Sequence, residues 1–227
     1  MKIAVLGGSF NPFHCGHAML AETVVKELNY DKVLLVPTYI APHKVNSDKI
    51  LPEQKKEMLE RFCQNEGSNF CELETCEIDR GGVSYTYDTL CYLYEKYKGC
   101  IDGKIGLIMG DEMAAEFHKW YKPDEIAGMA DLIITHRQKD FRSLDERDRV
   151  TSKNQPSGSY KGDFAVRFDP NFFKYPYKYL ESPVLPVSST DIRDRVKCKK
   201  SFRFLLPSSI YDYIVEKGLY SHTKGTE

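Results

Sequence analysis

Short apolar runs alternate with longer amphipathic stretches along most of this chain, the rhythm of a parallel β-sheet covered by helices. Ile3–Leu6, Lys32–Val36, Phe70–Cys76, Lys104–Met109 and Asp131–Thr135 read as strands, and helical spacing runs over 17–28, 53–65, 86–97 and 111–118. Near the end, Pro207 followed by Ser-Ser-Ile-Tyr-Asp-Tyr-Ile-Val-Glu-Lys-Gly predicts a closing helix with proline near its start and Gly218 near its end. Between Gln138 and Ser182 the pattern gives way to charge, glycine and aromatic residues. The stretch SKNQPSGSYKGD within it reads as a mobile loop rather than a linker between two cores. The expectation is one α/β domain over residues 1–220, with 138–183 a loop-rich insertion inside it and 221–227 a flexible tail. No internal repeat or low-complexity tract stands out.

Composition narrows the class. The 227 residues are 41% hydrophobic and 29% charged, enough for an ordinary globular core. With 32 basic against 33 acidic side chains there is no net field to attract nucleic acid or an anionic membrane, so an anionic ligand must be held by a local cluster. No apolar run approaches a membrane span of roughly 18 residues, and the N-terminus reads as a strand rather than a signal peptide. The expectation is a soluble cytoplasmic protein. The seven cysteines are odd in number and form no C-x-x-C pair, which argues against a disulfide framework or a zinc site.

Chemistry concentrates directly behind the first strand, in GGSFNPFHCGH, Gly7 to His17. Ligands of open parallel sheets bind beyond the carboxyl ends of the strands, and glycines there permit tight turns and close approach. The spacing fits neither G-x-G-x-x-G nor G-x-x-x-x-G-K-[ST]. His14 and His17, three apart as the chain enters a helix, can turn both imidazoles to one side. A metal site needs a third ligand, and nothing in the spacing of His43, His118 or His136 nominates one, so no metal site is assigned. By themselves the two histidines are equally readable as loop residues of no consequence. A second signal is VLPVSSTDIRDRV, 184–196, where Ser188, Ser189 and Thr190 precede a helical pattern carrying Arg193. Hydroxyls there ordinarily cap the helix. The same geometry also offers free N–H groups and a positive dipole end to an anion, and Arg193 shares the Thr190 face.

The conjunction of H-x-G-H behind the first strand with S-S-T-x-I-R near the other end resembles the nucleotidyltransferase superfamily of adenylyl- and cytidylyltransferases. VPTYIAPHK (36–44), SYTYDTL (84–90) and GDEMAAEFHKWY (110–121) resemble one branch of it, the bacterial nicotinate-nucleotide adenylyltransferases. The likeness covers most of 1–137 and 184–217. It implies a Rossmann-like, doubly wound parallel sheet and adenylyl transfer from ATP to nicotinic acid mononucleotide, giving deamido-NAD and pyrophosphate in NAD biosynthesis. By the same resemblance, His14, His17, Lys44 and Arg193 carry catalysis. ATP is held by Gly7, Gly8, Ser9, Phe10, His14, His17, Gly110, Asp111, Glu112, Ser188, Ser189, Thr190 and Arg193, with either Asp111 or Glu112 on the ribose. The mononucleotide is held by Asn11, Lys44, Thr86, Trp120, Tyr121 and Arg137, and Mg²⁺ travels with the triphosphate. Read without the resemblance, Trp120 is a core residue, Thr86 a helix N-cap, and Pro42-His43-Lys44 an exposed turn. The aromatic run FFKYPYKY (172–179) reads as surface packing, with the interface of a homo-oligomer as the alternative. Two other functions compete: adenylyl transfer to a different phosphate such as phosphopantetheine, against which 84–90 and 120–121 argue, and a nucleotide-binding regulator without catalysis, against which His14, His17, Lys44 and Arg193 argue.

Overall fold

The structure is a computed structural model that describes residues 1–40, 50–135, 168–181, 183 and 185–221. Six parallel strands form one sheet in the order β3-β2-β1-β4-β5-β6. They are β1 (Ile3–Gly8), β2 (Lys32–Pro37), β3 (Cys71–Leu73), β4 (Ile105–Gly110), β5 (Ala130–Thr135) and β6 (Tyr177–Leu180). The chain runs outward from β1 to β3, then returns to the centre at β4 and runs out the other way. That reversal defines a doubly wound, Rossmann-like sheet and opens a crevice between the ends of β1 and β4.

The period-2 alternation of the strands sorts the core into two layers. Ala4, Leu6, Val33, Leu35, Ile108 and Ile133 point to one face. There they meet Val24 of α1 (Cys15–Leu28), Met58, Leu59 and Phe62 of α2 (Pro52–Gln64), Ile192 of α7 (Ser189–Lys197), and Ile210 and Tyr213 of α8 (Ser208–Lys217). Ile3, Val5, Leu34, Val36, Leu107 and Ile134 point to the other. They meet Cys76 of α3 (Cys76–Arg80), Leu90 and Leu93 of α4 (Thr86–Lys96), Ala114 of α5 (Asp111–Ala115) and Ile126 of α6 (Pro123–Met129). Each fully buried aliphatic side chain here contributes about 1.5–3 kcal/mol. At Gly106 of β4 a Cβ would lie 2.7 Å from the Tyr30 ring, so the missing side chain is what lets Tyr30 pack across the sheet.

The elements depart from the sequence pattern in four places. β3 stops at Leu73 rather than Cys76: the Glu74 N–H makes the last bond to β2, on the Leu35 carbonyl at 3.0 Å, and its side chain turns the chain into a helix. One of its carboxylate oxygens accepts the Cys76 N–H at 3.0 Å and the other accepts Lys96 at 2.7 Å, and α3 begins. The helix expected over 111–118 is α5 followed by a 3-10 turn at Phe117–Lys119. The helix α6 and the strand β6 were not anticipated. FFKYPYKY is therefore not simple surface packing: Tyr177–Leu180 pairs with β5 at the sheet edge, while Phe173 and Tyr175 pack edge to face near Phe117.

Candidate active site

The loop leaving β1 is held by aromatic packing. A Cβ at Gly8 would lie 2.9 Å from the Phe10 ring, so only glycine lets Phe10 fold back into the core. Phe10 meets Phe13 with ring centroids 5.5 Å apart, and Phe13 meets Phe62 of α2 at 4.6 Å. These anchors deliver His14 to the N-cap of α1, with extended backbone, and His17 to its first turn. The His14 N–H donates to His17 Nδ1 at 3.2 Å, and the two imidazoles stack with centroids 3.7 Å apart and planes 23° apart. Because His17 Nδ1 accepts, the neutral ring carries its proton on Nε2 and presents that nitrogen as a donor. A Cβ at Gly16 would lie 3.2 Å from His14 Cε1 and Nδ1 and 3.2 Å from Val187 Cγ1, so this glycine gives the ring its place.

The second half of the site comes from α7. Ser188 caps it, its Oγ accepting the Asp191 N–H at 3.1 Å, so the ordinary capping role holds for this residue. Ser189 Oγ donates to the Pro12 carbonyl at 2.8 Å. Arg193 donates through Nη1 to the Asn11 carbonyl at 2.7 Å and through Nη2 to Thr190 Oγ1 at 3.2 Å. The Tyr220 hydroxyl, beyond α8, donates to Asn11 Oδ1 at 2.7 Å. The starts of α1 and α7 thus converge on one turn, Asn11-Pro12, and two positive helix ends together with a guanidinium favour an anion there. At Gly7, next to last in β1, and at Gly110, the last residue of the neighbouring β4, a Cβ would meet nothing within 4 Å, so the backbone there is open to a ligand. Asp111 and Glu112 follow Gly110 at the start of α5, half-buried, with the Glu112 N–H on Asp111 Oδ1 at 3.0 Å.

A third region lies on the β2 side. The Thr38 N–H donates to the Gly8 carbonyl at 2.9 Å, and an isolated bridge ties Ile40 to Val83 just before α4. Thr86 is the first residue of α4 and Tyr85 is its N-cap, so Thr86 does not cap the helix. Tyr121 lies against Tyr85 and Tyr87 with ring centroids 5.1 and 5.9 Å apart, and Lys122 Nζ sits 4.0 Å over the Tyr87 ring. Trp120 is half-buried on Phe117 at 5.2 Å, with part of its ring in the core and part outside.

Residues 5–195 match the family model described as Cytidylyltransferase-like. A protein of Treponema pallidum named probable nicotinate-nucleotide adenylyltransferase is 31% identical over 220 residues, 97% of this chain and 99% of its own. The chain belongs to the cytidylyltransferase-like family. A Streptococcus pyogenes protein of the same name is 32% identical over 96% of the chain and 88% of its own length. Among solved structures, the Plasmodium falciparum nicotinic acid mononucleotide adenylyltransferase complexed with NaAD covers 98% of each chain with a TM-score of 0.69 and 17% identity, a likeness of fold.

In this nucleotidyltransferase the structure gathers Gly7, Gly8, Ser9, Phe10, Asn11, His14, His17, Ser189, Thr190 and Arg193 around one turn. It sets Gly110, Asp111 and Glu112 at the end of the adjoining strand. Thr86 opens α4 between Tyr85 and Tyr87, and Tyr121 packs on those two rings. Lys44 and Arg137 lie outside the described residues, as do His43 and His136. Sequence reasoning passed over Tyr220 and Lys55. The Lys55 ammonium is buried and donates to the Thr38 carbonyl at 2.6 Å. A lysine on a helix with Glu53, Lys56 and Glu57 gives no hint of that, and a tyrosine after a C-terminal helix reads as a fraying end. No helix among the described residues is long and apolar enough to cross a membrane.

Proposed function

We propose that this nucleotidyltransferase moves the adenylyl group of ATP onto the phosphate of nicotinic acid mononucleotide and releases pyrophosphate. The observation that carries the reading is the stacked pair His14 and His17 at the start of α1, facing the start of α7 across Asn11-Pro12. A phosphate oxygen of the mononucleotide attacks the α-phosphorus of ATP in line, forming one P–O bond as the bond to the β-phosphate breaks. No protein nucleophile is needed, so the chain's work is positioning and charge stabilisation. His17 Nε2–H and the His14 ring meet the charge that builds on the α-phosphoryl oxygens. Ser189, Thr190, Arg193 and the N–H groups opening α7 take the outer phosphates, with Ser188 shaping that turn. Gly7, Gly8, Ser9, Phe10 and Gly110 leave room for the nucleotide backbone, and Asp111 or Glu112 takes the ribose hydroxyls. Asn11, Thr86, Trp120, Tyr121 and Arg137 receive the mononucleotide, with Lys44 a cation between the two substrates. The divalent cation, Mg²⁺, belongs to the substrate and arrives on the triphosphate, whose oxygens and waters suit it.

The test is pyrophosphate release from ATP with nicotinic acid mononucleotide, its amide analogue and phosphopantetheine offered side by side. N–H donors near Thr86 and Tyr121 would satisfy both oxygens of a carboxylate, while a carboxamide turns its NH₂ toward a donor at about 1–3 kcal/mol per unsatisfied group. The acid is expected to exceed the amide in kcat/KM by at least about tenfold. Equal values would refute the selectivity, and turnover of phosphopantetheine alone would refute the acceptor.

A further inference from the structure

Behind α8 the sequence runs Gly218-Leu219-Tyr220, and the reaction as described gives that turn nothing to do. Gly218 has left-handed backbone (φ 61°, ψ 29°), which ends the helix and lets the chain reverse, and the Leu219 N–H closes the turn on the Ile214 carbonyl at 3.0 Å. Ser221 Oγ donates to the Gly218 carbonyl at 2.6 Å, and Leu219 and Tyr220 fold back onto the core layer that contains Phe10, Phe13 and Ile214. Tyr220 is therefore no loose end. Its hydroxyl donates to Asn11 Oδ1 at 2.7 Å across 209 positions of sequence, in the loop that carries the histidines. The main chain of Asn11 is held separately, by Arg193 Nη1 on its carbonyl at 2.7 Å. Phe10, the residue before it, sits at φ 43°, a backbone state that a residue with a side chain keeps only where its surroundings fix it.

We infer that Tyr220 is a positioning residue for the mononucleotide: its hydroxyl fixes the Asn11 side chain in the place from which that amide meets the substrate. This rests on the function proposed above, which sets Asn11 at the mononucleotide. The outer torsion of an asparagine side chain has a broad energy well, so an amide without a restraint samples many orientations. A tyrosine is a good restraint because its ring is rigid and turns about few bonds, and here part of that ring is packed on the core. The ordering of the amide is then completed on folding, and the substrate meets a group already in place. The two tethers on Asn11 also divide the substrates between them. Arg193, which the proposed function gives to ATP, holds the backbone, while Tyr220 holds the side chain. Loss of the tyrosine hydroxyl leaves Arg193 and the start of α7 in place, so the loss falls on the mononucleotide and not on ATP.

The experiment is steady-state kinetics of the full chain with each substrate varied in turn, on wild type, Tyr220→Phe, Asn11→Ala and the double variant, with melting curves of the same preparations. Tyr220→Phe keeps the ring and its packing and removes only the hydroxyl. It should raise KM for nicotinic acid mononucleotide by about three- to tenfold, the net worth of one hydrogen bond. KM for ATP and kcat at saturation should stay within about twofold, the spread expected of an interaction neither quantity uses. Asn11→Ala should raise the mononucleotide's KM at least as much. In that background Tyr220→Phe should add no more than about twofold, because the hydroxyl acts through the missing amide, whereas a packing role for Tyr220 would add in full. Unchanged KM for the mononucleotide in folded Tyr220→Phe, parallel rises in both KM values, or additive losses in the double variant would overturn the inference while the wild type's own turnover upholds the proposed reaction. If Asn11→Ala does not fold, the split between the two KM values in Tyr220→Phe decides the matter. A wild type that fails to turn over nicotinic acid mononucleotide would overturn that reaction and this inference with it.

Discussion

Gly16→Ala isolates the histidine pair from the rest of the fold. Gly16 sits between His14 and His17 in the first turn of α1, and a Cβ added there would lie 3.2 Å from His14 Cε1, His14 Nδ1 and Val187 Cγ1. All three separations are short by a few tenths of an ångström. His14 is 2% exposed and stacked at 3.7 Å on His17, so its ring cannot retreat without disturbing its neighbour. Alanine for glycine within a helix gains about 0.5–1 kcal/mol. Crowding of this kind costs about 1–3 kcal/mol, which leaves a net loss of about 0–2.5 kcal/mol. For a chain of this size that lowers Tm by no more than about 10 °C. Catalysis has no compensating gain. A misplacement of 1 Å costs about a hundredfold, so a few tenths should cost about three- to tenfold in kcat, or roughly 0.7–1.4 kcal/mol of transition-state stabilisation. The assay is initial pyrophosphate release at saturating ATP and nicotinic acid mononucleotide, with a melting curve on the same sample. Wild-type kcat in a folded Gly16→Ala protein would show that the placement of His14 does not matter, and the assignment of the pair to the α-phosphate would fall.

His17→Ala should lower kcat by about 10²–10³ with a smaller change in KM, the loss typical of one transition-state donor, and near-wild-type turnover would refute the role. Arg193→Ala should weaken ATP by about 1.5–3 kcal/mol while leaving the mononucleotide nearly untouched; titrations showing equal losses would make Arg193 a tether for the Asn11 carbonyl and nothing more. The Tyr30 hydroxyl is buried and finds no hydrogen-bond partner among the described residues, and burial pushes it up from 10 to about 12. Tyr30→Phe should therefore keep or raise Tm at neutral pH. In the wild type the neutral phenol's share of stability is complete below pH 10 and is lost as pH climbs toward 12, so the variant's stability should fall less steeply there; denaturant unfolding at pH 7 and 11 checks both, and a Tm lowered by several degrees at neutral pH would reveal a partner the hydroxyl needs.

Most of the fold is legible because its strands are buried on both faces and stand out as apolar runs, as in Ile3–Leu6 and Lys32–Val36. β6 is not legible for the opposite reason. Among the described residues it has a neighbour on one side only, Leu180 is its one fully buried residue, and Pro176 and Lys178 break the apolar signal. The helix α6 is seven residues with Pro123 at its start and Gly128 near its end, too short for periodicity to show. In the site, Gly7 to His17 is legible because glycines and histidines behind a first strand are chemically conspicuous. The bond from Arg193 to the Asn11 carbonyl is not, since it links positions 182 apart and nothing local to either marks the other.

The ties from α7 to the first loop also have a consequence in time. Ser189 and Pro12 are 177 positions apart, and Arg193 and Asn11 are 182 apart. At roughly 5–20 residues per second of synthesis, His17 is made about 9–35 s before Arg193. For about the first half of that interval β1, a central strand, has no β4 beside it, and throughout it the histidines have no second helix end to face. A nascent chain can therefore display the His14–His17 loop without the start of α7 that faces it, and the two meet only when the last part of the sheet and α7 close over the first loop. The protein becomes able to spend ATP at the same moment that it becomes folded.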